Sequence, residues 1–198
     1  MDVFLSPATV LIAAYLAGSI PFGLIVTRLS GKGDIRQIGS GNIGATNVLR
    51  TGNKLLAALT LIGDAGKGAA IVLVVSALGG SPLLIAIAGA ASVVGHCFPV
   101  WLKFRGGKGI ATNVAVFAAF DIRLGLAFAI LWLGTAAVTR YSSLAALVAT
   151  LGCSVTAFWL AMDMPIAVAV LMMSALSWAR HHQNICLLYT SDAADDIP

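Results

Sequence analysis

The sequence predicts an all-α integral membrane protein with seven transmembrane helices, its N-terminus outside and its C-terminus in the cytoplasm. Three observations support this class. Hydrophobic residues make up 59% of the chain and charged residues only 10%. Mean hydropathy is +0.96, and apolar runs of about 17 to 25 residues, the length that crosses a bilayer as a helix, recur along the chain. Basic residues collect at alternate ends of these runs.

Apolar runs and polar breaks divide the chain into seven predicted spans. The first run has no basic segment before it and no small-residue cleavage site, so it is interpreted as a retained span rather than a signal peptide. A short fourth span fits better than one kinked helix over 109–139, because about 30 residues exceed the usual span length. The predicted spans are 3–28, 54–78, 82–100, 109–120, 122–139, 143–161 and 164–180.

The distribution of Lys and Arg predicts the orientation of these spans. Ten of the twelve lie at span ends or connections on one side, whereas Arg123 lies on the other side and Lys67 lies within the second span. Cytoplasmic loops carry an excess of basic residues, so the side with ten is expected to face the cytoplasm. The net positive charge therefore reports orientation, and no nucleic-acid partner is expected. The ten are Arg28, Lys32, Arg36, Arg50, Lys54, Lys103, Arg105, Lys108, Arg140 and Arg180.

The three cysteines are widely spaced, at positions 97, 153 and 186. An odd number at such spacing predicts neither a disulfide framework nor a zinc site. We expect no metal site and no cofactor in this protein.

A polar, glycine-rich segment, GSGNIGATNVLR at 39–50, follows the first span. It formally fits G-x-G-x-x-G, but no predicted strand precedes it and no acidic residue follows at the ribose-reading distance, so a dinucleotide fingerprint is excluded. Glycines let backbone N–H groups converge on an anion, and the neighbouring side chains add donors suited to phosphate. The alternative is a flexible loop with solvated polar groups. The donor side chains are Ser40, Asn42, Thr46, Asn47 and Arg50.

A second glycine-rich segment, RGGKG at 105–109, precedes the fourth span. Lys108, framed by glycines at a predicted helix N-terminus, is expected to bind an anion. The segment is not a Walker A loop, because the residue after the lysine is Gly109 rather than Ser or Thr. Lys103 and Arg105 are interpreted instead as anchors at anionic lipid headgroups.

Asp64, Lys67 and His96 fall within predicted spans, where polar groups are costly. Asp64 and Lys67 are three residues apart, so they share a helical face and can neutralise one another. Structural pairing and a direct role in function both remain open for this pair. His96 lies at the inner end of the third span, where it is either a packing residue or a proton acceptor.

These motifs, taken together, resemble the ordered motifs of the bacterial acyl-phosphate:glycerol-3-phosphate acyltransferase family. The likeness extends from about residue 5 to residue 186 and rests on SGNIGATNVLR, DAGKG, GHCFPVWLKFRGGKGIAT, YSS and RHHQN. It implies seven transmembrane helices and a cytoplasmic active site in the bacterial inner membrane. It also implies transfer of a fatty acyl group from acyl phosphate, rather than from coenzyme A or acyl carrier protein, to the 1-hydroxyl of glycerol 3-phosphate. The products would be lysophosphatidic acid and phosphate.

The resemblance also implies roles for individual residues. The catalytic residues would be His96, Lys108, Ser143 and His181, with Ser142 a weaker match than Ser143. The substrate-binding residues would be Ser40, Asn42, Thr46, Asn47, Arg50, Lys67 and Asn184. Three acceptors for the hydroxyl proton stay open, namely His96, His181 and a phosphate oxygen of the substrate.

The inventory of residues suits this chemistry. An acyl phosphate is already activated, and the sequence shows no Ser-His-Asp arrangement or reactive cysteine context for a covalent intermediate. The expected partners are the two phosphate-bearing substrates and membrane lipids, with no obligate protein partner. The alternative is a membrane transporter of a phosphorylated solute, although the polar clusters fall on one face without an outer counterpart.

We expect residues 1–185 to form a single membrane domain. The stretch 186–198 is acidic and low in structural signals, unlike the basic continuation that the resemblance implies. It is interpreted as an atypical tail, either foreign sequence that is not native or a genuine variant of the continuation.

Overall fold

The computed structural model describes residues 6–189, and over that range the chain is helical without any strand. The α-helices are α1 (Pro7–Gly18), α2 (Phe22–Leu29), α3 (Ala45–Leu49), α4 (Lys54–Ala77), α5 (Pro82–Cys97), α6 (Ile110–Phe120), α7 (Ile122–Thr139), α8 (Ser142–Trp159), α9 (Met164–Arg180) and α10 (His182–Tyr189). Two short 3-10 helices lie at Ile35–Gln37 and Val100–Leu102.

Five stretches in residues 6–189 are long and apolar enough to cross a membrane. Two further apolar helices, α6 and α9, coincide with the fourth and seventh predicted spans but are shorter, with 11 and 17 residues. The five are Pro7–Leu29, Lys54–Ala77, Pro82–Leu102, Ile122–Thr139 and Ser142–Trp159.

The first predicted span, 3–28, is broken within the described part of the chain. Helix α1 ends at Gly18, and α2 begins at Phe22, directly after Pro21. Proline lacks a backbone N–H and disfavours helical geometry in the residue before it, so Ile20 leaves the helix. The break turns the Ile20 carbonyl oxygen toward α4, where it accepts a hydrogen bond from Lys67 Nζ at 2.8 Å.

Helices α6 and α7 are separate, as predicted. Asp121 has extended backbone between them, and its carboxylate accepts a hydrogen bond from the Arg123 N–H at 2.8 Å, which caps α7. This is an ordinary N-cap, in which a side-chain oxygen satisfies a backbone donor of the first helical turn.

Close packing of small residues joins α1 to α5. A Cβ at Gly18 would lie 2.0 Å from the Ser92 carbonyl oxygen, and one at Gly95 would lie 2.2 Å from that of Tyr15. Membrane helices use such residues because van der Waals contact replaces the hydrophobic effect inside lipid. The Tyr15 hydroxyl donates to the Phe98 carbonyl oxygen at 2.8 Å and so satisfies the backbone just past the end of α5.

The beginning of α6 lies well inside the helical bundle. The Thr112 hydroxyl donates to the Asp64 carbonyl oxygen at 2.9 Å. Asp64 is ten residues along α4 from Lys54, a distance of about 15 Å at the rise of an α-helix. The chain before α6 therefore enters the bundle, past the level at which α4 begins. Helix α6 can be short because it begins at this depth.

A small second core supports the segment between α2 and α4. Leu24, Ile35, Ile43, Val48 and Leu56 are buried against one another. Because three of these side chains come from the polar segment 34–50, that segment is packed onto the helices rather than left as a free loop. This favours a defined backbone geometry over the flexible-loop alternative.

The C-terminal helix α10 crosses the predicted domain boundary at residue 185. It continues as far as Tyr189, into the stretch that was expected to be low in structure. The remainder of that predicted tail, residues 190–198, lies outside the described residues, as do residues 1–5 with the predicted N-terminus.

Candidate active site

The first glycine loop, residues 38–44, takes its shape from the buried side chain of Asn47. The Asn47 amide nitrogen donates to the carbonyl oxygens of Ile35, Ile38 and Asn42 at 3.1, 2.9 and 2.8 Å, and its oxygen accepts from the Ser40 N–H at 3.2 Å. Asn47 is 2% exposed. It was expected to bind substrate, but both of its polar atoms are engaged with backbone, so its contribution here is to hold the loop.

The other predicted donors, in this loop and at the short helix α3 after it, differ in how accessible they are. Ser40, Thr46 and Arg50 are exposed, while Asn42 is half-buried and accepts a backbone hydrogen bond within the loop. Gly39 has a φ of 55°, and a Cβ there would lie 2.9 Å from Arg50 Cδ. The guanidinium-bearing side chain of Arg50 therefore extends along the loop at a point where only glycine leaves room for it.

Asp34 fixes the N-terminal end of this segment. Its carboxylate accepts from the Arg36 backbone N–H at 3.0 Å and from Arg28 Nη2 at 3.0 Å, and it also pairs with the Arg36 guanidinium. The Arg36 guanidinium, aided by that of Arg28, holds the pKa of the Asp34 carboxyl well below its usual range. The carboxylate is therefore charged at every physiological pH, and it neutralises one of the two positive charges of these arginines.

The second glycine loop, residues 103–109, turns sharply back onto α5. Lys103 and Phe104 both have left-handed backbone, with φ values of 52° and 62°. The Gly106 N–H then donates to the Cys97 carbonyl oxygen and the Gly107 N–H to that of His96, each at 3.1 Å. A Cβ at Gly107 would lie 2.2 Å from His96 Nε2, so a side chain at this position would displace the imidazole.

Arg180, at the end of α9, fastens this loop. Its Nη2 donates to the Gly106 carbonyl oxygen at 2.9 Å and its Nε to that of Gly107 at 3.2 Å. The guanidinium carbon lies 5.3 Å from the centre of the Phe98 ring, which is cation–π geometry. Arg180 was expected only to mark the orientation of the spans, and this role was not predicted.

Lys108 and the beginning of α6 lie at the end of the same loop. Lys108 Nζ donates to the side-chain oxygen of Asn184, and the Lys108 carbonyl oxygen accepts from the Ser177 hydroxyl at 3.3 Å. Gly109, with a φ of 84°, precedes α6, and within the described residues no side chain caps the helix at this end. Uncapped N–H groups beside an ammonium form an arrangement suited to an anion.

Ser143 lies in the first turn of α8 and His181 directly follows α9, and these two helices pack against one another. Trp178 Nε1 donates to the Leu147 carbonyl oxygen at 3.3 Å, which sets the second turn of α8 beside the last turn of α9. Both His181 and Ser143 are buried. His181 Nδ1 lies 2.7 Å from the Ser177 carbonyl oxygen. A carbonyl can only accept, so Nδ1 carries a proton and the lone pair of the neutral ring is on Nε2.

Asp64, Lys67 and His96 form a buried ionic cluster in the bundle. Lys67 Nζ lies 2.8 Å from Asp64 Oδ1 and 2.9 Å from His96 Nδ1. The predicted pairing of Asp64 with Lys67 is confirmed. This cluster adjoins the second glycine loop, because Gly107 packs on the His96 ring.

A cleft of about 440 Å³ separates the two glycine loops. It brings Arg105, which was interpreted as a lipid anchor, next to the first loop. Predicted anion-binding segments some 60 residues apart in sequence thus face one space. The cleft is lined by Asp34, Arg36, Gln37, Gly41, Arg105 and Gly106.

The structure brings together four of the residues that the sequence singled out. Lys108, Asn184 and the uncapped end of α6 form one group, and His96 with Lys67 adjoins it through the glycine loop. Gly41 of the first loop faces Arg105 and Gly106 of the second across the cleft. In the described range, 6–189, no cluster of three or more His, Cys, Asp or Glu side chains could hold a metal ion.

Comparison with known proteins extends over almost the whole chain. The profile of the glycerol-3-phosphate acyltransferase family matches residues 8–190. A glycerol-3-phosphate acyltransferase of Agrobacterium fabrum is 54% identical over 183 residues, covering 91% of this chain and 88% of that protein. One of Caulobacter vibrioides is 52% identical over 188 residues, covering 93% and 85%.

Two crystal structures of PlsY, an integral membrane glycerol 3-phosphate acyltransferase, share this fold. The glycerol 3-phosphate form has a TM-score of 0.89 at 36% sequence identity, and the lysophosphatidic acid form has 0.87 at 35%. Each comparison covers 93% of this chain and 92% of the PlsY chain. Sequence and fold agree along nearly the full length, and the chain therefore belongs to the glycerol-3-phosphate acyltransferase family, of the PlsY type.

Proposed function

We propose that this protein transfers a fatty acyl group from acyl phosphate to the 1-hydroxyl of glycerol 3-phosphate. The products are lysophosphatidic acid and inorganic phosphate, in the first acylation step of phospholipid biosynthesis. The observation that carries the proposal is the contact of Lys108 with Asn184 at the uncapped beginning of α6. It makes a phosphate-binding site in a chain 36% identical to a PlsY whose structure is a glycerol 3-phosphate form.

The two glycine loops supply the groups that hold the substrates. Ser40 in the first loop and Thr46 and Arg50 just after it are exposed donors, and Lys108 with Asn184 provides donors at the end of the second loop. Two phosphate-bearing substrates need many donors, and a planar guanidinium beside an ammonium serves phosphate well. Asn42 and Asn47 act indirectly, because they fix the loop that presents the other groups.

The reaction needs positioning more than a covalent nucleophile. The 1-hydroxyl oxygen attacks the acyl carbonyl carbon, the bond from that carbon to the phosphate oxygen breaks, and phosphate departs. The hydroxyl proton ends on the departing phosphate, either directly or through His181 Nε2, so atoms and charge balance. Ser143, buried in the first turn of α8, donates to the carbonyl or phosphate oxygen as it gains charge in this proposal.

The site faces the cytoplasm in a seven-span arrangement with the N-terminus outside. The two glycine loops and the His96 end of the buried ionic cluster lie at the same helix ends as ten of the twelve basic residues. Helix α6 is about 16 Å long at 1.5 Å per residue. The second glycine loop enters the bundle before α6 begins, and the loop and the helix together make up the fourth span. An active site recessed in this way can meet a soluble glycerol 3-phosphate and an acyl chain that arrives from the bilayer.

Purified protein in detergent tests the proposal directly. Acyl phosphate and labelled glycerol 3-phosphate should yield labelled lysophosphatidic acid and an equal amount of inorganic phosphate. Acyl-coenzyme A and acyl carrier protein thioesters should yield no product in parallel reactions. Product from a thioester but not from acyl phosphate would overturn the choice of donor. Uptake of the solute into proteoliposomes without any acylation would instead favour a transporter.

A further inference from the structure

Lys67 occupies an enclosed position in which each of its ammonium protons has a protein acceptor. Lys67 Nζ lies 2.8 Å from the Ile20 carbonyl oxygen, 2.8 Å from Asp64 Oδ1 and 2.9 Å from His96 Nδ1. The side chains of Lys67 and Asp64 are each 2% exposed. An ammonium has three donors and no acceptor. Three donors meet three acceptors here, so a substrate phosphate could bind Lys67 only by displacing one of them.

The contact with Lys67 decides which nitrogen of His96 carries the proton. Because the ammonium donates to Nδ1, that nitrogen holds a lone pair, and the ring proton is on Nε2. The nearest Asp64 carboxylate oxygen lies 3.6 Å from Nδ1, beyond hydrogen-bond distance, whereas Lys67 Nζ lies at 2.9 Å. The Nε2–H edge of the ring faces Gly107, in the loop that leads to Lys108.

His181 has the opposite arrangement. Its Nδ1–H donates to the Ser177 carbonyl oxygen, which leaves the lone pair of the neutral ring on Nε2. The same fold thus holds one histidine as an Nε2–H donor and another as an Nε2 acceptor. The two rings cannot exchange roles without breaking their buried Nδ1 contacts.

We propose that Lys67 is a positioning residue that locks His96 as a hydrogen-bond donor to a substrate oxygen at the second glycine loop. Lys67 then acts through His96 rather than on substrate, and His96 does not accept the hydroxyl proton. This inference deepens the proposed function and rests on it for the identity of the substrate. The state of the His96 ring can nevertheless be measured without any reaction.

Nitrogen-15 NMR of histidine-labelled protein tests the state of the rings. The chain has three histidines, so a His182→Gln variant reduces the spectrum to His96 and His181. We expect His96 to be the neutral tautomer with a bare Nδ1, and His181 to have a bare Nε2 when neutral. Lys67→Met should abolish the His96 preference, whereas Lys54→Met, at the exposed beginning of the same helix, should leave it unchanged. A wild-type His96 protonated at Nδ1, or a preference unaffected in a folded Lys67→Met protein, overturns the proposal.

Two substitutions of His96 itself separate a donor from a base, even if Lys67→Met fails to fold. Gln places an amide N–H near the position of Nε2 but cannot accept a proton at pH 7, while Leu does neither. We expect His96→Gln to keep kcat/KM within about tenfold of wild type and His96→Leu to lose about a hundredfold or more, typical of one lost transition-state donor. Equal losses in two folded variants would assign His96 as the base and refute the donor role. Absence of acylation by the wild type with every donor would refute the proposed function while leaving the NMR result intact.

Discussion

At the scale of single residues, Lys103 and Lys108 have the same side chain but different surroundings within one loop. Lys103 is exposed, whereas Lys108 is half-buried and donates to Asn184. Lys108→Ala should therefore cost about 2–4 kcal/mol of transition-state stabilisation, roughly thirty- to nearly a thousandfold in kcat/KM. Lys103→Ala should cost under about 1 kcal/mol, because an exposed cation is screened and replaceable. Steady-state kinetics on equally abundant, folded proteins measures both, and similar small losses would remove Lys108 from the site.

Arg50 allows a test of shape at constant charge. Its side chain lies along Gly39 at the edge of the first glycine loop. Arg50→Lys keeps the positive charge but loses the planar fork that matches phosphate, so we expect KM for glycerol 3-phosphate to rise about tenfold or more. Titration of glycerol 3-phosphate at saturating acyl donor measures the change. An unchanged KM would show that charge alone is needed at this position.

Arg180 should be needed for the loop rather than for contact with substrate. Removing its guanidinium leaves the Gly106 and Gly107 carbonyl oxygens without a strong donor, at a cost of about 1–3 kcal/mol. Arg180→Ala should lower both the thermal midpoint in detergent and kcat/KM. Arg123→Ala, which removes an exposed pair with Asp121 at the opposite helix end, should change neither by much. A loss of activity in Arg180→Ala at unchanged thermal stability would point to direct contact with substrate instead.

Residues whose surroundings are set by neighbouring positions in the sequence could be predicted, whereas residues whose partners lie far away in the sequence were missed. Lys108 is marked by the glycines on either side of it, so its surroundings can be inferred from five adjacent letters. Arg180 bonds to carbonyl oxygens 73 and 74 residues away, and backbone partners leave no trace in the identity of side chains. Asn47 shows the converse, since an amide in a polar motif was assigned to substrate but is used within the fold.

At the scale of helices, hydropathy located the apolar segments but not their internal geometry. The break before α7 was predictable because Asp121 and Arg123 interrupt the apolar run. The break at Pro21 was missed because its neighbours are apolar, and an average over a span does not register one absent N–H. That break matters for the site, since it presents the Ile20 carbonyl oxygen to Lys67.

The contact between α1 and α5 predicts which glycines the bundle requires. Gly95→Leu would force side-chain atoms into the Tyr15 backbone, so we expect about 1–3 kcal/mol of destabilisation and a lower thermal midpoint in detergent. Gly134→Leu is the matched control, because a Cβ at Gly134 meets nothing within 4 Å. Equal midpoints for the two variants would mean that α1 and α5 separate without cost. Since α5 carries His96, Gly95→Leu should also lower kcat.

At the scale of the whole molecule, the polarity of the two ends is unequal. One end of the bundle carries both glycine loops, the beginning of α6 and the ionic cluster beside it, whereas the other end has short turns such as 78–81 and 160–163. A membrane protein that binds a soluble phosphate compound needs one end that is open to water, while short turns can close its other end. The sequence foresaw this asymmetry because loop length and basic residues are both local properties. It could not foresee the depth of the site, which depends on the contact between Thr112 and Asp64.

Orientation in the membrane is the prediction that belongs to this scale. Single cysteines are placed in a Cys186→Ser background, since Cys97 and Cys153 are buried and Cys186 is exposed. Cysteines at the exposed positions 81 and 163 should react with a membrane-impermeant maleimide on intact cells. Those at positions 32 and 105, also exposed, should react only after permeabilisation, because the end rich in Lys and Arg stays in the cytoplasm. Reversed labelling at both pairs would contradict an N-terminus outside, and labelling of all four on intact cells would contradict α4 and α5 as membrane spans. The same variants should retain acyl transfer in detergent, so that an altered pattern cannot be attributed to unfolding.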